Sequence, residues 1–321
     1  MLLPLTGDLA TIGKDIERGL RIALKNNADF ASSVDLLVED ITTFNPVNAV
    51  KSAQRLLNIE KVDLAVTAIM QDAEPMAPIF NKKKVPLIVL WDNNELIRNL
   101  GEYIFTSGFL SEYAGELAAQ FVVSAKRATG SVIIMHQDLW SELIGDAFEK
   151  EFKKLGGKIL AKESLPATTT DYRTLLARIK SKNPAIIYCP LVPPNLAVFI
   201  KQTKELGINS ALFSGDSLTQ EMIDTAGEGA EGVYFTDLVP ENIALINNLM
   251  QKEFKDVKYE IKYVDLGFFG MQEILRVFPL GGKTVQTRLL ETFGEDRSIN
   301  RKQQIFEVSS RKVRPFSEGN S

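Results

Sequence analysis

The chain has 321 residues, of which 45% are hydrophobic and 24% charged, and its formal net charge is −4. This composition is typical of a globular protein with a sizeable core and excludes disordered and collagen-like chains. The single Cys and single His exclude an intrachain disulfide and a zinc site built from these residue types. The slightly acidic balance gives no basic field for nucleic acid or an anionic membrane. We therefore expect neither partner, and no metal or cofactor.

The sequence contains no candidate membrane span, because no apolar run reaches the roughly 18 residues that such a helix needs. Prolines interrupt the longest run, at residues 185–200. The first five residues lack the basic start of a signal peptide and resemble the end of a buried strand. We expect that an export signal, if the protein had one, has been removed.

In the first half of the chain, short apolar runs alternate with segments of helical period, as in βα units around a parallel sheet. The predicted elements, in chain order, are strand 2–5, helix 12–25, strand 34–38, helix 47–58, strand 62–68, helix 74–80 and strand 85–91.

The same alternation returns in the second half, after a crossover near 103–109. The predicted elements there are strand 132–136, helix 141–154, strand 158–161, helix 172–180, strand 185–189, helix 196–206 and strand 211–214, followed by a second crossover near 232–240, helical segments at 242–254 and 264–278, and strand 304–309. The sequence therefore predicts an α/β protein with two doubly wound parallel-sheet lobes. We expect residues 1–108 with 240–302 in the first lobe and 109–239 with 303–321 in the second, joined by a multi-strand hinge.

The loops that follow the strands are the candidate binding site, because ligands of open parallel sheets bind outside the carboxyl ends of the strands. The first such loop, bounded by Gly7 and Gly13, opens a helix whose free amides are able to meet an anion. Alternatively, it is a tight turn in which Thr11 is only the N-cap. Asp72 and Asn93, after the third and fourth strands, are likewise either ligand contacts or helix caps.

Aromatic and acidic side chains also follow strands in both predicted lobes. Trp91 and Trp140 are the only tryptophans, and each is either a ligand platform or a side chain packed against its own lobe. Four carboxylates occupy strand-end loops: Asp72, Asp92, Asp138 and Asp216. If several of them face one ligand, a cationic group such as an ammonium is the simplest reason, and solvated loop caps are the alternative.

Three enzyme motifs are incomplete in this sequence. The run Gly281-Gly282-Lys283-Thr284 ends like a phosphate-binding loop, but no strand-to-helix turn is predicted before it. Residues 213–219, with Ser217, resemble the nucleophile block of GDSL hydrolases, but no histidine follows them. His136, the only available base, lies at a strand end where a structural role is the simpler interpretation. No Gly-x-Gly-x-x-Gly follows a predicted strand.

Short motifs along almost the whole chain resemble those of one family. They are Pro4-Leu5-Thr6-Gly7 with Ala10, Gly13 and Gly19-Leu20; Asp40 with Asn45-Pro46 and Ala49; Val85-Pro86-Leu87-Ile88; Asp171-Tyr172-Arg173; Phe199-Ile200-Lys201-Gln202 with Glu205-Leu206-Gly207; and Ala230-Glu231-Gly232-Val233. The sequence is similar in these motifs to the type 1 periplasmic solute-binding proteins of the leucine/isoleucine/valine group.

The resemblance implies a two-lobed protein that closes on a small solute and delivers it to an ABC-type membrane permease without chemistry. It also implies a periplasmic or other extracytoplasmic location, either free or lipid-anchored. Asp216 stands where amino-acid binders of the family hold a ligand ammonium. By position, the implied ligand contacts are Thr11, Ile12, Met70, Gln71, Asp72, Trp91, Asp92 and Asn93 in the first lobe, Trp140, Leu191 and Asp216 in the second, and Phe268 in the helical tail.

The first-lobe loops depart from the family pattern. Amino-acid binders usually place Ser or Thr there to hold the ligand carboxylate, whereas residues 69–72 and 90–92 offer none and contain acids. Acids in these places oppose carboxylate binding, so we expect an amino-acid-like, amine-bearing or aromatic solute rather than an ordinary leucine-type ligand. Two alternatives do not involve transport. The first residues, Leu2-Leu3-Pro4-Leu5-Thr6-Gly7, also resemble those of lipoproteins that activate penicillin-binding proteins. The sensor domains of receptors share the same fold.

Overall fold

The computed structural model describes residues 1–278 and 282–316. Gly281 of the phosphate-loop-like run and residues 317–321 of the predicted second lobe lie outside the described residues. The chain forms two compact units. Unit 1 comprises Met1–Leu110 and Val239–Arg301, and unit 2 comprises Ser111–Leu238 and the segment from Lys302 onward.

The first segment of unit 1 carries its parallel sheet. The strands are β1 (Leu2–Leu3), β2 (Glu39–Asp40), β3 (Ala65–Thr67), β4 (Leu87–Val89), β5 (Asp92–Asn93), β6 (Ile104–Thr106) and β7 (Phe109–Leu110). The helices are α1 (Ala10–Lys25), α2 (Ala28–Ala31), α3 (Pro46–Arg55), continued by a π-helical turn at Leu56–Glu60, α4 (Met70–Lys83) and α5 (Glu95–Arg98). The main sheet has the order β2-β1-β3-β4-β6, and β5 pairs separately with β7. All these pairings are parallel.

The middle of the chain builds most of unit 2. Its strands are β8 (Gly130–His136), β9 (Lys158–Leu165), β10 (Ile186–Tyr188), β11 (Ala211–Ser214) and β12 (Tyr234–Leu238). Its helices are α6 (Ser111–Ser124), α7 (Leu139–Lys154), α8 (Arg173–Lys182), α9 (Asn195–Glu205) and α10 (Gln220–Ala226), followed by a 3-10 turn at Gly227–Ala230.

The last part of the chain contributes to both units. Helices α11 (Ile243–Glu253), α12 (Ile261–Val277) and α13 (Val285–Phe293) belong to unit 1, and strands β13 (Gln303–Ser309) and β14 (Lys312–Pro315) belong to unit 2. The sheet of unit 2 has the order β14-β13-β12-β11-β10-β8-β9. It is parallel from β12 to β9, and β13 and β14 add antiparallel strands at one edge.

The core of unit 2 covers both faces of its sheet. Along β8, Val132 and Ile134 belong to one buried apolar cluster, while the alternating Ile133 and Met135 belong to another. Because successive side chains of a strand point to opposite faces, this division is what a sheet with helices on both sides requires. The predicted α/β class, with parallel sheets in two lobes, is confirmed.

The second strand of unit 1 does not lie where the sequence predicts it. Residues 34–38, the predicted strand, form no strand, and β2 is the following pair, Glu39–Asp40. Pairing with β1 begins only there, with Leu2 opposite Glu39 and Leu3 opposite Asp40. The alternating apolar residues at 34–38 are therefore partly buried or exposed, but they do not form a strand that pairs with β1.

Helix α6 has no counterpart among the predicted elements. The side of this helix that is buried consists largely of small residues, including Ala114, Gly115 and Ala118. Small side chains give weak hydrophobic contrast along the sequence, so the helical period is hard to detect.

Two glycines bring α1 and α12 into backbone contact. A Cβ on Gly19 would lie 2.0 Å from the carbonyl oxygen of Val264, and a Cβ on Gly267 would lie 2.0 Å from that of Ile16. Any larger side chain at either position would force the helices apart. This contact joins the late helical segment of the chain to the first helix of unit 1.

A buried ion pair ties together the three chain segments through which unit 1 continues into unit 2. Arg301, the last residue of unit 1, donates a hydrogen bond from its guanidinium to Asp265 on α12, and both side chains are almost fully buried. The other carboxylate oxygen of Asp265 accepts from the Glu241 amide at 3.2 Å. The Arg301 amide donates to the carbonyl of Gly108, also at 3.2 Å, and the Phe269 ring covers the guanidinium at 4.5 Å. Burial raises the pKa of Asp265, and the charge of Arg301 opposes this rise.

We predict that Asp265→Asn destabilises the protein by about 3–5 kcal/mol, because it leaves the Arg301 charge buried without its counter-ion. Urea unfolding at neutral pH measures this loss. The matched control is Glu205→Gln, which removes an exposed partner of Arg173 at 3.2 Å and is expected to cost less than about 1 kcal/mol. Equal losses for the two variants would contradict the role assigned to the buried pair.

Candidate functional site

The carboxyl edge of the unit 1 sheet is built from the loops after β3 and β4. These strands are parallel neighbours, with Thr67 opposite Val89, so their following residues emerge side by side. Helix α4 begins at Met70, directly after β3, and its N-cap residue provides no side-chain cap. Instead the carboxylate of Asp92, which follows β4, accepts a hydrogen bond from the Met70 amide at 2.8 Å. An acid from one strand end thus caps the helix that follows the neighbouring strand.

Asp72 lies beside this cap, in the first turn of α4. Its side chain is 3% exposed, and its Oδ2 atom has no hydrogen-bond partner among the described residues. Burial raises the pKa of Asp72 to about 7, and the charge of Asp92 adds to the rise. Of the two predicted functions for this residue, helix cap and ligand contact, the hydrogen bond that its carboxylate accepts from the backbone amide of Ile69, the N-cap residue, supports the cap.

Trp91 and Asn93 are held by contacts within unit 1. The Trp91 ring packs edge-to-face on Tyr263 with a centroid distance of 5.0 Å. The Asn93 carbonyl oxygen accepts from the Arg98 guanidinium at 3.1 Å, and its amide group donates to Asn300. Met70 is buried, whereas the neighbouring Gln71 is only partly buried.

The loop before α1 is closed by a threonine of the next loop. The hydroxyl of Thr43 accepts from the Leu9 amide at 2.9 Å and donates to the Thr6 carbonyl at 3.0 Å. Leu9 is the N-cap residue, whereas Thr11 is an exposed residue within α1 and Ile12 is buried. The interpretation of Thr11 as the N-cap is therefore wrong, because α1 begins at Ala10, two residues before the position that a cap at Thr11 would require.

In unit 2, the loop after β11 brings an acid against a tryptophan. The indole Nε1 of Trp140 donates to Asp216 Oδ1 at 3.1 Å, and Asp216 is 1% exposed. A Cβ at Gly215 would lie 2.9 Å from Trp140 Cζ2 and 2.7 Å from Ile144 Cδ1. Only glycine therefore lets the indole approach this loop so closely. The predicted residues Trp140 and Asp216 form one hydrogen-bonded pair.

Tyr188, the last residue of β10, is a polar group that the sequence did not single out. Its hydroxyl is buried and has no partner within the described chain. Burial raises the pKa of Tyr188 well above its ordinary value, and the charge of Asp216 adds to this shift. Its position at the end of the strand beside β11 is the signal that could have identified it.

The other strand-end residues of unit 2 make contacts within that unit. Asp138 caps α7 by accepting from the Ser141 amide at 3.0 Å. The Leu191 carbonyl accepts from the Ser217 hydroxyl at 3.0 Å, and the Leu191 side chain is fully buried. In unit 1, Phe268 is buried within α12, and the next residue, Phe269, covers Arg301.

His136 and Ser217 do not form a nucleophile–base pair. The Val192 amide donates to His136 Nδ1 at 3.2 Å, so the proton resides on Nε2, which lies 3.0 Å from the Tyr172 hydroxyl. Burial lowers the pKa of His136 to about 4. The ring is thus a neutral structural group with both nitrogens occupied.

Within residues 1–278 and 282–316, no group of three or more His, Cys, Asp or Glu side chains is arranged to hold a metal ion. Across the same part of the chain, no helix combines the length and apolar character needed to span a membrane.

Comparison with known proteins adds a family match and several similar structures. A family profile described as periplasmic binding protein matches residues 1–258. A Leu/Ile/Val-binding protein homolog of Brucella suis biovar 1 is 26% identical over 243 residues, which are 73% of this chain and 62% of that protein. The chain thus covers less than two thirds of that relative.

Among solved structures, a leucine binding protein from Thermotoga maritima has a TM-score of 0.88 and 20% identity, covering 98% of this chain and 96% of that one. A solute binding protein of an ABC transporter from R. palustris, in complex with benzoate, has a TM-score of 0.84 and 17% identity, covering 98% and 94%. At these identities the similarity shows a shared fold.

We predict that His136 makes the protein less stable at acidic pH. The unfolded side chain takes up a proton near pH 6.5, whereas the folded one stays neutral to about pH 4, so its contribution is present above about pH 6.5 and is lost as the pH falls toward 4. The loss is at most about 3 kcal/mol. Denaturant unfolding of the wild type and of His136→Asn at about pH 7 and pH 4.5 measures it.

The two proteins share every other titrating group, including Asp72, so the difference between their pH dependences isolates the histidine. We expect a larger loss in the wild type than in His136→Asn. The same pH dependence in both would show that the ring titrates normally.

Proposed function

Because the chain belongs to the periplasmic binding protein family, we propose that it is the substrate-binding protein of an ABC-type importer for a small amine-bearing solute, amino-acid-like or aromatic. It works in the periplasm or another extracytoplasmic space, catalyses no reaction and passes the solute to a membrane permease. The strand-end loop of unit 2 that carries Asp216 supplies the group that binds the amine of the solute.

The observation that carries the proposal is the Trp140–Asp216 pair. A buried carboxylate is costly unless it is paired or hydrogen-bonded, and the indole hydrogen bond at 3.1 Å both stabilises and orients it. An ammonium group supplies the opposite charge and a charge-assisted hydrogen bond. The tryptophan ring beside it offers an amphipathic surface that suits an aliphatic or aromatic body.

The similar structures support a small organic molecule as the solute. They are compatible with a solute whose charge differs from that of benzoate. One similar structure is described as a leucine binding protein and another was solved with benzoate. In this chain, however, Asp72 and Asp92 occupy the carboxyl edge of unit 1, where negative charge opposes a ligand carboxylate. We therefore assign the amine, rather than the carboxylate, as the required group of the solute.

We predict that at least one amine in a screen of amino acids, amines, amides and aromatic acids raises the melting temperature of the protein. A ligand that binds only the folded state must stabilise it, by about 2.7 kcal/mol at one hundred times its Kd. Differential scanning fluorimetry measures the shift. If no compound of any class raises the melting temperature, this proposal is replaced by the alternative that the protein is a lipoprotein or sensor domain without a transport function.

We predict that Asp216→Asn raises the Kd of an amine found in this screen about 10- to 100-fold, because a hydrogen bond to a charged group contributes roughly 1.5–3 kcal/mol. The asparagine oxygen still accepts from Trp140, so the fold should be retained. Isothermal titration calorimetry measures the change. Glu221→Gln, an exposed acid in the first turn of α10, is the matched control and should leave the Kd unchanged, whereas an unaltered Kd in Asp216→Asn would remove its assigned role.

A further inference from the structure

His136 and Ser217, the two residues that resemble hydrolase groups in the sequence, grip one peptide group of unit 2 from opposite sides. The Ser217 hydroxyl donates to the carbonyl of Leu191 at 3.0 Å. The next amide, that of Val192, donates to His136 Nδ1 at 3.2 Å. This carbonyl and this amide belong to a single planar peptide group. We call Ser217, the 191–192 peptide and His136 the peptide clamp.

The hydrogen bonds of the peptide clamp are buried and run in one direction. His136 is fully buried, and Ser217 is 2% exposed. From the serine hydroxyl onward, each group donates toward the histidine, and His136 Nε2 in turn lies 3.0 Å from the Tyr172 hydroxyl. Hydrogen bonds aligned in this way polarise and strengthen one another in a low-dielectric interior. We therefore expect the peptide clamp to be more rigid than its bonds would be separately.

The residue next to Ser217 is Asp216, the acid that the proposed function assigns to the amine of the solute. Its carboxylate is oriented by the indole of Trp140 at 3.1 Å, and Gly215 before it lies against the same ring. On its other side, the Ser217 hydroxyl ties the loop after β11 to the loop after β10. The indole thus sets the direction of the carboxylate, and the peptide clamp sets the position of its backbone.

We propose that Ser217 and His136 are positioning residues, which hold Asp216 in place for a primary ammonium group through the peptide between them. This inference rests on the proposed function, which assigns the ammonium to Asp216. A group that is ordered before binding costs less conformational entropy when the solute binds. Loosening the peptide clamp should therefore weaken the binding of amines, although no charge is removed from the protein.

The first experiment follows the indole proton of Trp140 by NMR in the protein without solute. The chain has two tryptophans, so Trp91→Phe assigns both indole signals. In Ser217→Ala we expect the Trp140 proton to exchange with solvent about three- to tenfold faster, since its acceptor is held less firmly. Its chemical shift should also move. Ser217→Thr keeps a hydroxyl and should restore both values.

The matched control is Ser131→Ala, near the start of β8. Ser131 is also fully buried, and its hydroxyl donates to a backbone carbonyl, that of Val132, at 3.3 Å. Its loss should reduce stability as Ser217→Ala does, but should leave the Trp140 signal in place. The chemical shift belongs to the folded protein, so a general loss of stability does not change it.

The histidine end of the peptide clamp is tested with two further variants. His136→Leu removes the acceptor of the Val192 amide and should move the Trp140 signal in the same direction as Ser217→Ala. His136→Asn places a side-chain oxygen near the position of Nδ1 and should retain most of the wild-type signal.

The second experiment measures binding of 2-phenylethylamine and of 2-phenylethanol, its uncharged counterpart, by isothermal titration calorimetry. We expect Ser217→Ala to raise the Kd of the amine about three- to tenfold and to leave that of the alcohol unchanged. In an Asp216→Asn background, Ser217→Ala should have almost no further effect, because a residue that acts through this carboxylate loses its influence with it. If the wild type does not bind 2-phenylethylamine, the strongest amine of the melting-temperature screen takes its place.

Three outcomes would overturn this inference and leave the proposed function standing. They are an unchanged Trp140 signal in Ser217→Ala, an equal change in Ser131→Ala, and full additivity of Ser217→Ala and Asp216→Asn in the Kd of the amine. If the wild type binds no amine at all, the proposed function fails, and the NMR comparison alone decides whether the peptide clamp holds Asp216.

Discussion

The interaction on which the architecture depends is the buried ion pair between Asp265 and Arg301. Three segments of chain lead from unit 1 to unit 2, and this pair with its hydrogen bonds to Glu241 and Gly108 connects all three. A buried charge pair is expensive to desolvate. Hydrogen bonds on both carboxylate oxygens and the ring of Phe269 offset part of that cost, while Nε and Nη1 of Arg301 have no hydrogen-bond partner among the described residues. The cluster fixes the residues at which the chain leaves and re-enters unit 1.

The two units use their acids differently. In unit 1, the Asp92 carboxylate caps the start of α4, and burial together with the charge of Asp92 makes the adjacent Asp72 costly to ionise. In unit 2, a single acid, Asp216, is oriented by an indole N–H, and a glycine next to it gives the ring room. In one arrangement an acid caps a helix, and in the other an indole orients an acid.

Periodicity and loop position were sufficient to predict the α/β class and most strands and helices, because they depend on which residues must be buried. The predictions failed where contacts with residues distant in sequence determine the local structure. The strand predicted at 34–38 is displaced because β1 pairs further along, and Thr11 is no cap because Thr43 closes the turn. The Asp92–Met70 bond, the Tyr188 hydroxyl and the Asp265–Arg301 pair involve residues whose proximity only the folded chain reveals.

The backbone contact between α1 and α12 determines when unit 1 is completed during synthesis. Its two partners, Gly19 and Gly267, leave the ribosome far apart in time, and the segment that builds most of unit 2 emerges between them. The apolar surface of α1 opposite α12 must remain uncovered throughout that interval, whereas unit 2 lacks only two edge strands by then. Exposed apolar surface of this kind is what chaperones recognise in incompletely folded chains. Unit 1 therefore cannot be completed until the chain has been synthesised through α12, after the segment that builds most of unit 2.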